Sequence, residues 1–303
     1  MAGRLLILTL ECFAGSYRGM SVLDTAFSTA RARASRVVFP EMSHTRVAAA
    51  AEILASGGLC QPLALADPSE AHVEAIVRTR GCKPTFARKL VQKPLYRAAA
   101  MVAAGEADVL VAGADAPTRE VIKAAGMAIG LAPGVNTPSS IFLMLFPDGR
   151  ELVFADCAVN VTPDAATLAD IARASAASGE ALLGAARVAL LSFSTASSGS
   201  GGSVDMVREA ALLSGYTGPV QADAALNTRI AGIKGIKPVN ANVLVFPSLD
   251  AGNIAYKLCQ ELGGAQALGP FLQGFARPVC DLSRGASVDD IVNATVLSIA
   301  MGA

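Results

Sequence analysis

SIFLMLF (140–146), PDGR (147–150) and ELVFAD (151–156) follow one another directly, and together they set the reading of the chain. Two apolar runs flank Pro147-Asp148-Gly149. Proline presets φ for a turn, and glycine supplies the positive φ that a tight reversal needs. The stretch therefore predicts an antiparallel hairpin. Upstream the rhythm is different. Arg36–Phe39 reads as a strand, followed by a helix that Ser43 can cap and Gly57-Gly58 can stop. Val47, Ala50, Ala51 and Leu54 share one face of that helix. Pro62–Leu65 and Asp108–Ala112 read as further strands, and Tyr96–Gly105 and Arg119–Ile129 as helices. This alternation predicts a mainly parallel sheet covered by helices. The hairpin interrupts it, so a second unit begins near residue 140.

Downstream the alternation resumes. Thr162-Pro163-Asp164 opens a helix with proline in its first turn. Strands at Val188–Phe193, Val220–Ala222 and Ala241–Phe246 alternate with helices from Val204 and Ala251. A last helix starts at Ser287. The short stretch SSGSGGS (197–203) reads as a mobile loop rather than a linker between domains.

Composition bounds the function. The 303 residues carry 25 Lys+Arg against 25 Asp+Glu, with 52% hydrophobic and 17% charged residues. That excludes a disordered chain. A net charge of zero argues against nucleic acid as a partner. At roughly 150 residues per domain, one large or two modest domains are expected. No apolar run reaches the ~18 residues of a membrane span. The apolar stretch Leu5–Leu10 is interrupted by Thr9 and followed by Glu11 without an A-x-A site, which argues against a signal peptide. MSVLDTAF from Met20 reads as an alternative start, leaving residues 1–19 as an upstream extension; both readings stay open. The six cysteines form no C-x-x-C and only two histidines are present, which argues against a zinc site. Reduced thiols in a cytoplasmic protein are expected.

Three segments carry candidate chemistry. STASSGSGGS (194–203) joins a strand to a helix and could turn backbone N–H groups toward a phosphate. It matches neither G-x-x-x-x-G-K-[ST] nor G-x-G-x-x-G, and a plain connection is the alternative. DLSRGASVDDIV (281–292) places Ser283, Arg284 and Asp290 close together: a hydroxyl donor, a fixed cation and a carboxylate base. Ser287-x-x-Asp290 is also a capping box, and the two roles are compatible. Asp250-Ala-Gly-Asn-Ile-Ala-Tyr-Lys257 opens a helix directly after the strand in NVLVFPSL (242–249), where α/β folds bind ligands. Asn253 and Tyr256 share a face of that helix, with Asp250 as an ordinary cap in the bland reading.

Taken together, these segments resemble the phosphate acetyltransferase (phosphotransacetylase) and phosphate butyryltransferase family. The resemblance runs from Arg36-Val-Val-Phe-Pro-Glu41 to the C-terminus. It is carried by FADCAVN (154–160), LSFST (191–195), QADAAL (221–226), NANVLVFPSLDAGNIAYKL (240–258) and LGPFLQGFARPVCDLSRGASVDDIV (268–292). It implies reversible acyl transfer between acetyl phosphate and coenzyme A, giving acetyl-CoA and phosphate. It implies a two-domain α/β fold similar to isocitrate and isopropylmalate dehydrogenases, with mainly parallel sheets, helices on both faces and an interdomain cleft. Domain I would take residues 1–139 and 272–303, and domain II residues 140–271. A homodimer is implied, and no cofactor beyond coenzyme A as substrate.

The family's catalytic group falls on Ser283, Arg284 and Asp290. Asp290 would take the thiol proton, Ser283 would donate to the oxyanion, and Arg284 would hold the phosphate. Two positions depart from the family pattern. Its G-A-x-H-S-T-A-D-x-x-R reads Gly113-Ala-Asp-Ala-Pro-Thr-Arg-Glu-Val-Ile-Lys123 here. The histidine is replaced by Ala116 and the arginine by Lys123, which keeps the charge but loses bidentate geometry. Arg119, one helical turn earlier, is a candidate substitute. A second family arginine falls at Arg78-Thr-Arg80, and Arg78 is the expected match. Ser139 and Phe142 are candidates to line the acyl pocket, with butyryl or another short acyl group as the alternative substrate. A non-catalytic domain that binds acetyl-CoA is the alternative of another class.

Overall fold

The computed structural model describes residues 21–302. The apolar stretch at 5–10, Met20 and Cys12 lie outside the described residues. A ten-stranded sheet runs in the order β2-β1-β3-β10-β9-β4-β5-β8-β6-β7. Its strands are β1 (Arg36–Val38), β2 (Gln61–Leu63), β3 (Val109–Ala112), β4 (Ser139–Leu145), β5 (Glu151–Ala155), β6 (Val188–Leu191), β7 (Thr217–Val220), β8 (Val243–Val245), β9 (Gln266–Gln273) and β10 (Val279–Asp281). Six of the nine pairings are parallel, so the expectation of a mainly parallel sheet holds. The antiparallel pairs, β4·β5, β4·β9 and β9·β10, sit together in the middle. The β4·β5 hairpin turns at 147–150 as expected, with Gly149 at φ 86° and Phe146 N donating to Arg150 O at 2.9 Å.

Twelve helices are described: α1 (Val22–Arg33), α2 (Thr45–Ser56), α3 (Glu70–Arg80), α4 (Pro84–Leu90), α5 (Pro94–Ala103), α6 (Thr118–Ala128), α7 (Ala165–Leu183), α8 (Gly202–Ser214), α9 (Ala222–Leu226), α10 (Thr228–Ile233), α11 (Leu249–Gly263) and α12 (Val288–Met301). Alternation along each strand assigns them to faces. Val37, Val109, Val111, Ile141, Val153, Leu190, Val243 and Phe271 point to one face, under α1, α2, α7, α8 and α12. On the other face the two ends of the sheet are covered separately. Val38, Leu110 and Val279 meet α3 to α6, while Phe142, Phe154 and Leu244 meet α9 to α11. Each fully buried large side chain in these layers contributes about 1.5–3 kcal/mol.

Several local expectations need correction. His44, not Ser43, is the N-cap of α2; its ring accepts from Arg46 N. Pro163 stands outside α7, whose N-cap is Asp164. Ser248 rather than Asp250 caps α11. The strand expected at 220–222 is β7, ending at Val220, and α9 starts at Ala222. The loop at 194–198 folds on itself: Thr195 N donates to Ser198 Oγ at 2.9 Å, and Ser194 and Thr195 are buried.

Candidate active site

Strands β1, β3 and β10 lie side by side and parallel. Parallel strands release their following loops at one edge, where α/β folds place ligands. The loop after β1 carries Glu41 and leads to His44 and Arg46. The loop after β3 is Gly113–Pro117, followed by α6 with Arg119 and Lys123. The loop after β10 carries Ser283 and Arg284, followed by α12 with Asp290.

Long-range polar contacts lock these loops together. Glu41 accepts four consecutive backbone N–H groups, from Gly113 and Ala114 on Oε2 and from Asp115 and Ala116 on Oε1, at 2.8–3.0 Å. Successive N–H groups pointing inward form a concavity that suits an anion. Arg46 donates to the carbonyls of Ala286 and, at 2.8 Å, Arg284. A third tie runs from Thr118 Oγ1 to Asp281 Oδ2, at 2.5 Å.

Held this way, the loop presents Ser283 and Arg284 to solvent. Gly285 N donates to Ser283 Oγ at 3.3 Å, and Ala286 N to Ser283 O at 2.9 Å, closing a turn. The Arg284 side chain has no ion-pair partner among the described residues. Asp290 is half-buried and completes the capping box read from the sequence. Its Oδ2 accepts from Ser287 N at 2.9 Å and Ser287 Oγ at 2.8 Å. Its Oδ1 has no partner among the described residues. The capping bonds thus fix the carboxylate while leaving one oxygen open, which is the arrangement a positioned base needs.

Lys123 is exposed on α6 and pairs with Glu120 at 3.0 Å. It lines a groove of about 270 Å³ with Arg80, Phe86, Leu90, Tyr96, Gly126 and Met127. Arg78 is elsewhere: its Nη2 donates to Ala103 O, at the end of α5. Residues two apart on a helix point to nearly opposite sides, so only one of the pair can share the groove. That residue is Arg80. Arg119 is exposed and lies 3.6 Å from Glu120. Burial and the Glu120 charge push the Tyr96 hydroxyl up, against the opposing effect of Lys123.

The remaining candidates lie in the other half. Ser139 is fully buried, and its hydroxyl accepts from Gln273 Nε2 at 2.8 Å. It belongs to a buried polar network with Ser175, to which Gln273 also donates. Asn253 Nδ2 donates to Cys157 O at 3.1 Å, and Tyr256 stacks on Phe142 with ring centroids 4.2 Å apart. Among the described residues no three His, Cys, Asp or Glu side chains gather as metal ligands, and no helix is long and apolar enough to cross a membrane. Sequence reading missed the roles of Glu41, Arg46, Thr118 and Asp281.

Known proteins share this arrangement of sequence and fold. The family pattern described as "Phosphate acetyl/butaryl transferase" matches residues 70–299. The chain is 38% identical to a phosphate acetyltransferase of Paracoccus denitrificans, over 92% of this chain and 98% of that one. It is 39% identical to a phosphate acetyltransferase of Pseudomonas aeruginosa over 87% of its own length, but spans only 43% of that longer protein. A phosphotransacetylase from Streptococcus pyogenes superposes with a TM-score of 0.86 at 32% identity, covering 92% of this chain and 97% of that one. The chain is an α/β acyltransferase by fold and sequence. It belongs to the phosphate acetyl/butyryl transferase family.

Proposed function

We propose that this protein catalyses the reversible conversion of acetyl phosphate and coenzyme A to acetyl-CoA and phosphate. One observation supports this most strongly: the loops after β1, β3 and β10 converge at one sheet edge and present Ser283, Arg284 and Asp290 there. The open oxygen of Asp290 takes the proton of the CoA thiol. The thiolate attacks the acetyl carbonyl carbon directly, forming the C–S bond. Ser283 donates to the oxyanion that develops. The C–O bond then breaks, and phosphate leaves with its electron pair, held by Arg284. Arg80, Arg119 and Lys123 supply further positive charge for phosphate groups. Asn253 and Tyr256 build the wall of the site beside Phe142, whereas the Ser139 hydroxyl is taken up on the opposite face of the sheet by Gln273, which also bonds Ser175. The reaction needs no metal or redox cofactor; coenzyme A is a substrate.

The same reading divides the chain as isocitrate and isopropylmalate dehydrogenases are divided. Of the described residues, 21–139 and 272–302 form one domain and 140–271 the other, with the substrates in the cleft between. It also places the protein in the cytoplasm, where thiols stay reduced. The protein acts as a homodimer. On α11, Ile254, Leu258 and Leu262 form an exposed apolar stripe, 51–82% accessible. Lys257 and Glu261 flank it, so a second copy running antiparallel sets opposite charges beside each other. Light scattering should give twice the monomer mass, and Leu258→Glu should give monomers; a monomeric native protein would refute the dimer.

The activity is tested by mixing the purified protein with CoA and acetyl phosphate, and in parallel butyryl phosphate, and following thioester absorbance. Acetyl-CoA should form rapidly. Asp290→Asn should lower kcat on the order of 10²–10⁴-fold. A butyryl preference would reassign the acyl group, and absence of turnover with both donors would refute acyl transfer.

A further inference from the structure

Strands β3 and β10 run in register, with Asp281 beside Ala112 and Leu282 N donating to Ala112 O at 2.6 Å. Beyond them the chain leaves by two loops that carry different parts of the site. One leads to Arg119 and Lys123, the other to Ser283 and Arg284. Among the described residues a single side-chain hydrogen bond joins these two segments, from Thr118 at the start of α6 to Asp281 at the end of β10.

Asp281 is unusual for a buried carboxyl group. It is 1% exposed and accepts only from Thr118, while Oδ1 has no partner. Buried carboxylates ordinarily gather several donors, because an unpaired one costs desolvation without return. Oδ1 instead lies against Gly113, where a Cβ would approach it to 2.6 Å. With φ at +109° and no room for a side chain, this position admits only glycine. Glu41 faces the same loop from the loop after β1, Cys280 precedes Asp281 on β10, and α6 contributes Thr118. Burial, opposed by the Thr118 bond and reinforced by the Glu41 charge, pushes the Asp281 carboxyl up to about 7.

We propose that Asp281 is a positioning residue: through Thr118 it fixes the Ser283–Arg284 loop against the first turn of α6, and so sets the spacing between the cations that the two loops carry. The Thr118 hydroxyl bonds a carboxylate more strongly than a neutral carboxyl group, so charging Asp281 tightens this link, against burial and the Glu41 charge. The inference rests on the reading that Arg284 holds the phosphate.

The test uses the full chain with Thr118→Val, which keeps the shape and removes the hydroxyl, Thr118→Ser, which restores it, and Asp281→Asn. Two quantities are read: the Kd of inorganic phosphate by calorimetry, and the KM values for acetyl phosphate and CoA. Thr118→Val should weaken phosphate binding and raise the acetyl phosphate KM about tenfold, the effect of losing one hydrogen bond to a charged group, with the CoA KM unchanged. Thr118→Ser should restore both. Asp281→Asn should match wild type at pH 6 and bind phosphate more weakly than wild type at pH 8, where the wild-type link is charge-assisted. Wild-type phosphate affinity in Thr118→Val, failure of serine to rescue, or an unchanged pH dependence in folded Asp281→Asn overturns the proposal. If Asp281→Asn does not fold, the Thr118 pair decides alone. Failure of acyl transfer itself is separate: it appears as no wild-type turnover, and the calorimetry still reads the link.

Discussion

Asp156 and Asp281 occupy equivalent places in the two halves of the sheet. Asp156 follows the last residue of β5, Asp281 is the last residue of β10, and they are 2% and 1% exposed. Their surroundings differ sharply. Asp156 accepts from the Ser140 amide and hydroxyl, from the amides of Ala158, Val159 and Asn160, and from Asn160 Nδ2. Asp281 accepts from one hydroxyl. The first carboxylate organises a loop that Asn253 and the close approach of Gly252 then hold against α11. The second is left short of donors between two loops that carry exposed, reactive groups. A fully paired buried carboxylate fixes a shape. An underpaired one keeps a titration within reach of neutral pH.

The comparison can be broken by removing each carboxylate. Asp156→Ala should have the larger effect. It strands the buried Ser140 amide and three part-buried N–H groups, a buried one being worth about 1–3 kcal/mol, so urea denaturation at pH 7 should show a loss of several kcal/mol. A loss below about 1 kcal/mol would mean that the loop finds other acceptors. Asp281→Asn should act more gently and with a pH signature. The unfolded chain loses this proton near pH 4 and the folded chain near 7, so the native state binds the extra proton between them. Wild-type stability should therefore fall as pH rises through that interval and level off above it. Each pH unit of the interval is worth at most about 1.4 kcal/mol, so the difference between wild type and Asp281→Asn should change by roughly 2–4 kcal/mol from pH 4 to pH 8. A pH-independent difference would mean that the folded protein does not hold the Asp281 proton to higher pH.

The sequence disclosed the parts of the molecule whose causes are local. The hairpin at 147–150 was legible because proline and glycine fix its turn, and the start of α12 because Ser287 and Asp290 satisfy each other within one turn. β9 and β10 were not legible as strands. Gly269-Pro270, Gly274 and Pro278 break the pattern, and β9 is held instead by pairing with β4 on one side and β10 on the other. Likewise Ser283, Arg284 and Asp290 could be found in one short segment. Their support could not, because Glu41, Arg46 and Thr118 act across loops distant in sequence. The family resemblance slips by one residue at 78–80 and points to Arg78, whereas helical facing, which sets Arg78 and Arg80 apart, depends on where α5 and α6 pack.

The placement of β10 has a consequence for synthesis. Between β3 and β9 the sheet is completed by residues 279–281, and α12 then packs on α1 and α2. Until those residues leave the ribosome, the first half of the nascent chain exposes the wholly apolar edge of β3, Val109–Ala112, with nothing of its own to cover it. Exposed strand edges recruit other chains. A chain released before residue 279 thus carries a ready site for aggregation, and the segment that closes the sheet, made after the other nine strands, is also the one that delivers Ser283, Arg284 and Asp290.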